Sequence, residues 1–305
     1  ESAGHGLMKT FNELNRREQE AYLMLPILRG LKKLGGQAST KELKNIVVAN
    51  DSYIPENVLV TTRKSRKGNE YLPFNFPFNF AVANLVMAKL LDRPHSGEVL
   101  LTEKGRTFNG NQQELNKKIY DITLPMWKAK SKVKNIQENG KAEDDIELAD
   151  ESWRTKLLKA LNNLSPAKFE LFCRALVRKM NVDIDENIGV KLSGDGGIDG
   201  YGYMTTDDFR TTRVAIQAKK WNSNHLVSSP EIDKFRGAMD KYRSEYGIFI
   251  TTSSFTRDAI KASRTGTRII TLIDGSKLID LVAKYQLYVK PVVTYELDDF
   301  FTNDN

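Results

Sequence analysis

One aspartate on a glycine-rich turn, followed by a glutamine and a lysine two apart on a strand, makes a set of side chains able to hold a hard cation beside a phosphodiester. The first stretch is S-G-D-G-G-I-D-G-Y-G at residues 193–202 and the second is V-A-I-Q-A-K-K-W at residues 214–221. Side chains two apart on a strand share a face. If the two strands pair, the Asp199 carboxylate, the Gln217 carboxamide and the Lys219 ammonium converge. Magnesium takes oxygen ligands, commonly one or two from protein with water and substrate phosphate completing the set. Asp199 supplies a charged oxygen and Gln217 a neutral one. Lys219 is left to stabilise the charge that builds on a phosphorane, or to position and deprotonate the attacking water. The chemistry that fits is metal-assisted phosphodiester hydrolysis.

Each motif alone reads equally as ordinary structure. An Asp-Gly-Gly is usually a turn, and Gln-x-Lys is usually the solvated face of a strand. Their order favours the joint reading, as does a lysine on the apolar strand Val214-Ala215-Ile216, where an uncompensated charge is costly.

Residues from about 164 to 288 resemble the catalytic domain of the Mrr family of restriction endonucleases, a branch of the PD-(D/E)XK nuclease superfamily. The resemblance rests on L-S-P-A-K-F-E-L-F-C at residues 164–173, G-D-G-G-I-D-G at 194–200, Q-A-K-K-W at 217–221 and G-I-F-I-T-T-S-S-F-T at 247–256, in that order. It implies that Asp199 is catalytic, that Gln217 and Lys219 stand for the superfamily's acid-x-Lys, and that the family's helical acid falls on Glu170. It also implies an α/β (α+β) PD-(D/E)XK domain with a mixed central sheet in the order αβββαβ. The cofactor it implies is Mg2+, with Mn2+ able to substitute.

Glu170 has two readings from its own surroundings. Ser165 caps a helix with Pro166 at its first position, and Phe169, Phe172, Cys173, Leu176, Val177 and Met180 form its core stripe. Glu170 is then either an acid favoured by the helix dipole or a second acid of the metal site. Asp195 reads as a loop former rather than a ligand.

Lys plus Arg number 46 against 39 Asp plus Glu in 305 residues, so the net charge of +7 suits polyanions and equally a soluble protein of any kind. A single cysteine, Cys173, excludes a disulfide framework and a cysteine-based zinc site. It also points to a reducing, cytoplasmic setting. No apolar run reaches the roughly twenty residues of a membrane span. The opening E-S-A-G-H-G-L reads as foreign to the natural protein, with Met8 as its start.

Length and a charge shift divide the chain. The basic K-A-K-S-K-V-K at residues 128–134 gives way to the acidic E-D-D-I-E-L-A-D-E at 143–151. We therefore expect a winged-helix DNA-recognition domain over residues 8–112 and an extended or partly helical linker within 113–152. The nuclease domain is expected over 153–305. In the first part, Tyr22, Leu23, Leu25, Ile27, Leu28, Leu31 and Leu34 make one helix, ended by Gly35-Gly36. Ser39 caps a second. A third opens near Pro77, and Glu98-Val-Leu-Leu followed by L-T-E-K-G-R at 101–106 reads as a wing strand entering a last helix. Residues 18–112 thereby resemble the Mrr-type N-terminal domain.

Helix-turn-helix modules aim the early residues of the second helix at base edges. On that ground Asn79 and Asn84 are candidate base readers, with Lys89 nearer the helix end and Arg63, Lys64, Arg66 and Lys67 as phosphate contacts. As plain structure, Asn79 would cap or turn the chain and the basic run would be a solvated loop. Phe74, Phe76, Phe78 and Phe80 read as core, with one ring left as a base contact.

Two function classes follow. The leading one is a DNA endonuclease acting on double-stranded DNA as a homodimer, because duplex cutting needs two sites. Its target is a specific sequence or a modified, methylated site. The other is a catalytically silent DNA-binding protein that keeps the nuclease fold as scaffold, against which the intact Asp199, Gln217 and Lys219 argue. An enzyme of recombination intermediates or RNA is a third possibility.

Overall fold

The computed structural model describes residues 9–133, 141–184, 191–192 and 198–302. Asp195 and the glycines just beside it lie outside the described residues.

The N-terminal half runs α1 (Arg16–Lys33), β1 (Gln37–Ser39), α2 (Thr40–Asn50), β2 (Arg63–Lys64), β3 (Glu70–Tyr71), α3 (Asn75–Met87), β4 (Leu91–Asp92), β5 (Glu98–Leu101), α4 (Glu103–Thr107) and α5 (Gln112–Val133). Gly35 and Gly36 end α1 at φ 85° and 90°, a left-handed exit that carries no side-chain penalty. Ser39 caps α2, its hydroxyl accepting from the Glu42 amide at 3.1 Å. Strands β4 and β5 pair antiparallel as the wing, and β1 joins β5 on its other side. The order is that of a winged helix, with the β2–β3 hairpin inserted before α3. Strands β1 and β4, three and two residues long, are too short to leave a period-2 pattern in the sequence.

Two of the expectations are corrected here. Residues 113–152 are largely helical: α5 covers the first part and α6 (Lys141–Asn163) the last. Leu115, Ile119 and Thr123, four apart, bury one face of α5, the first two in the N-terminal core. The second correction concerns α3. Its thirteen residues, N-F-P-F-N-F-A-V-A-N-L-V-M, include no charged side chain. A helix apolar on every side is enclosed rather than displayed, and α3 packs among α1, α5 and β4.

The second half runs α7 (Pro166–Lys179), β6 (Asp183–Ile184), β7 (Lys191–Leu192), β8 (Ile198–Thr205), β9 (Thr211–Lys219), α8 (Ser229–Tyr242), β10 (Tyr246–Thr251), α9 (Arg257–Ser263), β11 (Ile270–Ile273), α10 (Gly275–Tyr285) and α11 (Asp299–Thr302). Among the described residues the sheet has the order β11-β10-β9-β8-β6, with β7 also on β8. Strands β8 and β9 are antiparallel, while β9, β10 and β11 are mutually parallel, so the sheet is mixed as expected. One face carries Ile198, Ile216, Ala218 and Ile250 against Phe169, Phe172, Cys173 and Leu176 of α7 and against α10. The other carries Ala215 and Phe249 against Phe235 and Met239 of α8 and Ala259 of α9.

The two halves meet through a specific set of groups. The guanidinium of Arg257, at the start of α9, donates to the carbonyls of Val48, Asp51 and Ile54. It also pairs with Glu56 at 3.6 Å. Val48 lies in the last turn of α2, whose carbonyls have no partner within the helix, so Arg257 caps α2 from the other half. The Asn57 amide donates to the Ser223 carbonyl at 2.7 Å, and Lys159 of α6 pairs with Glu70 of β3 at 2.8 Å. Val60 completes a small apolar contact with Leu158 and Ile279. It fits because Gly275 has no side chain: a Cβ there would lie 2.5 Å from the Thr252 carbonyl and 3.0 Å from Val60.

Candidate active site

The register of β8 and β9 sets Asp199 directly opposite Gln217. Side chains opposite one another in an antiparallel pair share a face, and Lys219, two residues on, shares it too. All three are half-buried, whereas Ile198, Ile216 and Ala218, on the reverse face, are within 1 % of full burial. The alternation therefore separates chemistry from core along the same two strands. Strand β10 supplies the neighbours, Phe249 beside Gln217 and Thr251 beside Lys219.

Groups from the same face and from α8 surround Asp199. The Tyr242 hydroxyl reaches its Oδ1 at 3.5 Å, longer than a well-formed hydroxyl–carboxylate bond. Burial, and then the Asp199 charge, push the Tyr242 hydroxyl above its ordinary pKa, so it stays a donor. Arg213 lies over the rings of Tyr201 and Tyr203 at 5.0 and 5.5 Å and donates to the Tyr242 carbonyl at 2.7 Å. That bond caps α8 with a cation and fixes Tyr242 over the strands. The sequence reading missed Tyr201, Tyr203, Arg213 and Tyr242. The two strand tyrosines stand at i+2 and i+4 from Asp199, a face-sharing pattern that was there to be read.

Lys219 sits 5.4 Å over the ring of Trp221, which stacks on His225 at 3.6 Å and 6°. The loop holding Trp221 is fastened by the Thr252 hydroxyl, which donates to the Trp221 carbonyl at 2.7 Å.

Glu170 is placed differently. Its Oε1 accepts from Nε and Nη2 of Arg174 at 2.9 and 2.8 Å, one turn along α7. Helix α7 covers the sheet face opposite to the one carrying Asp199, Gln217 and Lys219. Among the described residues no three His, Cys, Asp or Glu side chains stand together as a ready-made metal cage. What the site offers is one carboxylate and one carboxamide oxygen, and that hard, sparse donor set fits Mg2+, which keeps several waters of its own. Cys173 is buried, and burial pushes its thiol up out of the reactive range.

The candidate base readers do not form one surface. Asn84 is 1 % exposed. Its amide donates to Glu20 at 2.6 Å and to the Phe80 carbonyl at 2.9 Å, while its Oδ1 accepts from the Trp127 indole at 2.9 Å. The expectation that Asn84 is displayed for base contact is therefore wrong, because α1 and α5 close over that side of α3. Asn79 is half-buried on the same helix, and Lys89 is exposed past its end at φ 63°. The first turn of α3 is tied down as well, Asn75 accepting from the buried ammonium of Lys44 at 2.8 Å. Phe74 and Phe78 are core, Phe76 lies under Arg16 at 4.7 Å, and Phe80, 42 % exposed, packs beside Trp127. Arg63, Lys64, Arg66 and Lys67 are all exposed on the β2–β3 hairpin. Asn84→Ala is expected to cost about 2–3 kcal/mol of stability by stranding the Glu20 and Trp127 groups it satisfies. Sequence preference should not change with it. Chemical denaturation beside a binding-site selection checks both halves of that expectation.

A mixed sheet lies between two helical layers, with Asp199, Gln217 and Lys219 together on the face that α8 and α9 partly cover and a winged helix docked on the sheet. Comparison with known proteins agrees: the family described as restriction endonuclease, the Mrr catalytic type, matches residues 161–282, and the Mrr N-terminal domain matches residues 21–110. The two matched regions place an Mrr-type domain in each half of the chain. It is similar to a type IV methyl-directed restriction enzyme of Escherichia coli (strain K12), EcoKMrr, with 31 % identity over 136 residues, 44 % of this chain and 43 % of that one. The match thus spans less than half of the curated relative. Among solved structures it is similar to the DNA modification-dependent restriction endonuclease AspBHI, at 20 % identity and a TM-score of 0.38 over 45 % of this chain and 36 % of that one. A second is the MspJI restriction endonuclease in complex with a 27-mer oligonucleotide, at 23 % identity and 0.33 over 45 % and 32 %. Among the described residues no helix is long and apolar enough to cross a membrane.

Proposed function

We propose that this protein is a divalent-metal-dependent endonuclease of double-stranded DNA, working as a homodimer and directed by its N-terminal half to a modified or otherwise specific site. The observation that carries the reading is the register that sets Asp199 against Gln217 with Lys219 two residues on, all three half-buried while their strand neighbours on the reverse face are in the core. The methyl-directed relative supports modified DNA as the substrate.

In this reading Asp199 and Gln217 hold Mg2+, for which Mn2+ can substitute. Bound there, the metal would polarise the phosphoryl oxygen and acidify a water. Lys219, held by the face of Trp221, faces the scissile phosphate and offsets the charge that builds on it. Tyr242 keeps the Asp199 carboxylate turned outward. Glu170 joins the metal's surroundings only by exchanging its Arg174 partner for it.

The hairpin cations Arg63, Lys64, Arg66 and Lys67 serve as phosphate contacts. With α3 enclosed, Asn79 and Lys89 are the remaining candidates of that region for a base or phosphate contact. Replacing the four hairpin cations with glutamine is expected to weaken binding to every sequence alike. It should also flatten the salt dependence by roughly 0.9 for each phosphate that is no longer neutralised. A weakening confined to one sequence would contradict the phosphate role.

The deciding experiment is Mg2+-dependent cleavage of matched plasmids, unmodified or carrying methylcytosine, methyladenine or hydroxymethylcytosine, with Asp199→Ala as control. Cutting of one modified plasmid alone supports modification-dependent restriction, and discrete cutting of all supports a conventional site-specific enzyme. No cutting above the control refutes the endonuclease reading.

A further inference from the structure

Past α10 the chain turns through two left-handed residues, Gln286 and Tyr288, and runs on without helix or strand to α11. Seven of the fifteen exposed large apolar side chains among the described residues lie in this stretch. Val292, Val293, Tyr295 and Leu297 are 74–94 % exposed, and Tyr288, Phe300 and Phe301 complete the set. Single exposed apolar residues are ordinary on any protein, but such a concentration marks a binding surface. From residue 291 onward the sequence holds four acids, Glu296, Asp298, Asp299 and Asp304, and no Lys or Arg, on a chain of net charge +7. The segment is apolar, acidic and rich in strand-forming residues, with Val292, Val293, Thr294 and Tyr295 in succession.

A surface of matching character exists on the same molecule. Among the described residues strand β11 closes one end of the sheet and pairs with β10 alone. An edge strand presents unpaired backbone groups that template a further strand. Ile269, just before β11, is 62 % exposed, and Thr271 within it is exposed. Helix α9, which packs against β11, carries the exposed cation Lys261, and Arg264 just after it is exposed as well.

We propose that residues 291–298 of one copy add as a strand to the β11 edge of a second copy. Glu296 and Asp298 then approach Lys261 and Arg264, and Val293, Tyr295 and Leu297 share the face that covers the apolar edge. Each copy contributes both a strand and an edge, so the exchange is reciprocal and closes as a two-fold dimer. The extended segment spans about 3.3 Å per residue, which gives ample reach. Among the described residues its own β11 edge takes no further strand, although α10, between the two, is only eleven residues long. The proposal concerns assembly alone and stands whether or not the chain cuts DNA.

The test is sedimentation equilibrium of the full chain, a chain ending at Lys290, and the double variant Val293→Asp/Tyr295→Asp. The full chain should be dimeric at micromolar concentration. The other two should be monomeric, with a dissociation constant raised at least tenfold and, in dilute solution where the full chain is monomeric too, an unchanged melting temperature, because residues 291–298 are all exposed on their own chain. Lys261→Glu/Arg264→Glu should weaken the dimer, and mixing it with Glu296→Lys/Asp298→Lys should restore a heterodimer. A full chain that stays monomeric up to about 100 µM would overturn the proposal. So would a shortened chain as dimeric as the full one, or β11 amides equally protected from exchange in dilute monomer, the sign of a segment folded on its own edge.

Discussion

Lys219→Ala should abolish cleavage, by on the order of 10³-fold or more, while leaving DNA affinity and metal binding in place. The magnitude follows from what the ammonium does in the proposed reaction. A preorganised charge at the reacting phosphate acts mainly in the transition state, so its loss falls on kcat rather than KM. Asp199→Ala should be as severe for a different reason: it removes the only charged oxygen of the donor pair, and metal binding is lost with cleavage. DNA affinity should hold or rise in that variant, because a carboxylate that repels phosphate is gone. Single-turnover cleavage, isothermal titration with Mn2+ and filter binding of DNA in Ca2+ together separate the two variants. Cleavage retained in either one removes that residue from the assignment. Tyr242→Phe is the informative companion, since its long contact to Asp199 makes it a positioning group whose loss costs far less.

Arg257→Ala should loosen the docking of the two halves. One guanidinium satisfies three carbonyls at and beyond the end of α2 and pairs with Glu56. Hydrogen bonds from a charged donor contribute about 1.5–3 kcal/mol each, and they are not additive when one side chain makes them all. A loss of about 3 kcal/mol from the interface is the expected scale. Fraying of the α2 C-terminus should accompany it, because the Val48 carbonyl loses its cationic cap. Limited proteolysis should then cut within residues 51–62, and amide exchange should rise there and in the loop that holds Ser223. Arg257→Lys should recover only part of it, because the three carbonyls gather around the one Nη2 while the other arm of the fork pairs with Glu56, and a single ammonium cannot do both. Unchanged proteolysis and exchange would mean that Val60, Asn57 and the Lys159–Glu70 pair carry the docking without it.

Much of the C-terminal half was legible because its signals are local. The alternation of Gln217 and Lys219 with Ile216 and Ala218 fixes which face is wet, and the glycine-flanked Asp199 fixes where its partner strand begins. Strand pairing then follows from a single antiparallel register. Ser165, Ser39 and the Gly35-Gly36 pair likewise announce helix ends through their own hydrogen bonds or backbone angles. What the sequence hid depends on contacts between distant residues. Asn84 looks like any exposed helical amide until Glu20, 64 positions earlier, and Trp127, 43 later, are seen to enclose it. Arg257 looks like an ordinary first-turn arginine, yet its acceptors lie more than 200 positions away. The charge-free composition of α3 was the one local warning against a displayed recognition helix, and it weighed less than the winged-helix order around it. Glu170 and Arg174, four apart on a helix, could have been read as an ion pair from spacing alone.

The Asn57–Ser223 bond falls four residues past Lys219, and Arg257 holds the next strand-to-helix connection along the same sheet. The N-terminal half is therefore seated on the sheet end from which the lysine projects, not hung from a loose tether. Duplex DNA advances 3.4 Å per base pair, so each ångström of play between the halves would spread the broken bond over neighbouring steps. In the proposed reaction a seat fixed by hydrogen bonds would act as a ruler: the distance along the helix from the bound landmark to the severed bond would be a constant of the protein, and the ends of its fragments would inherit that constancy.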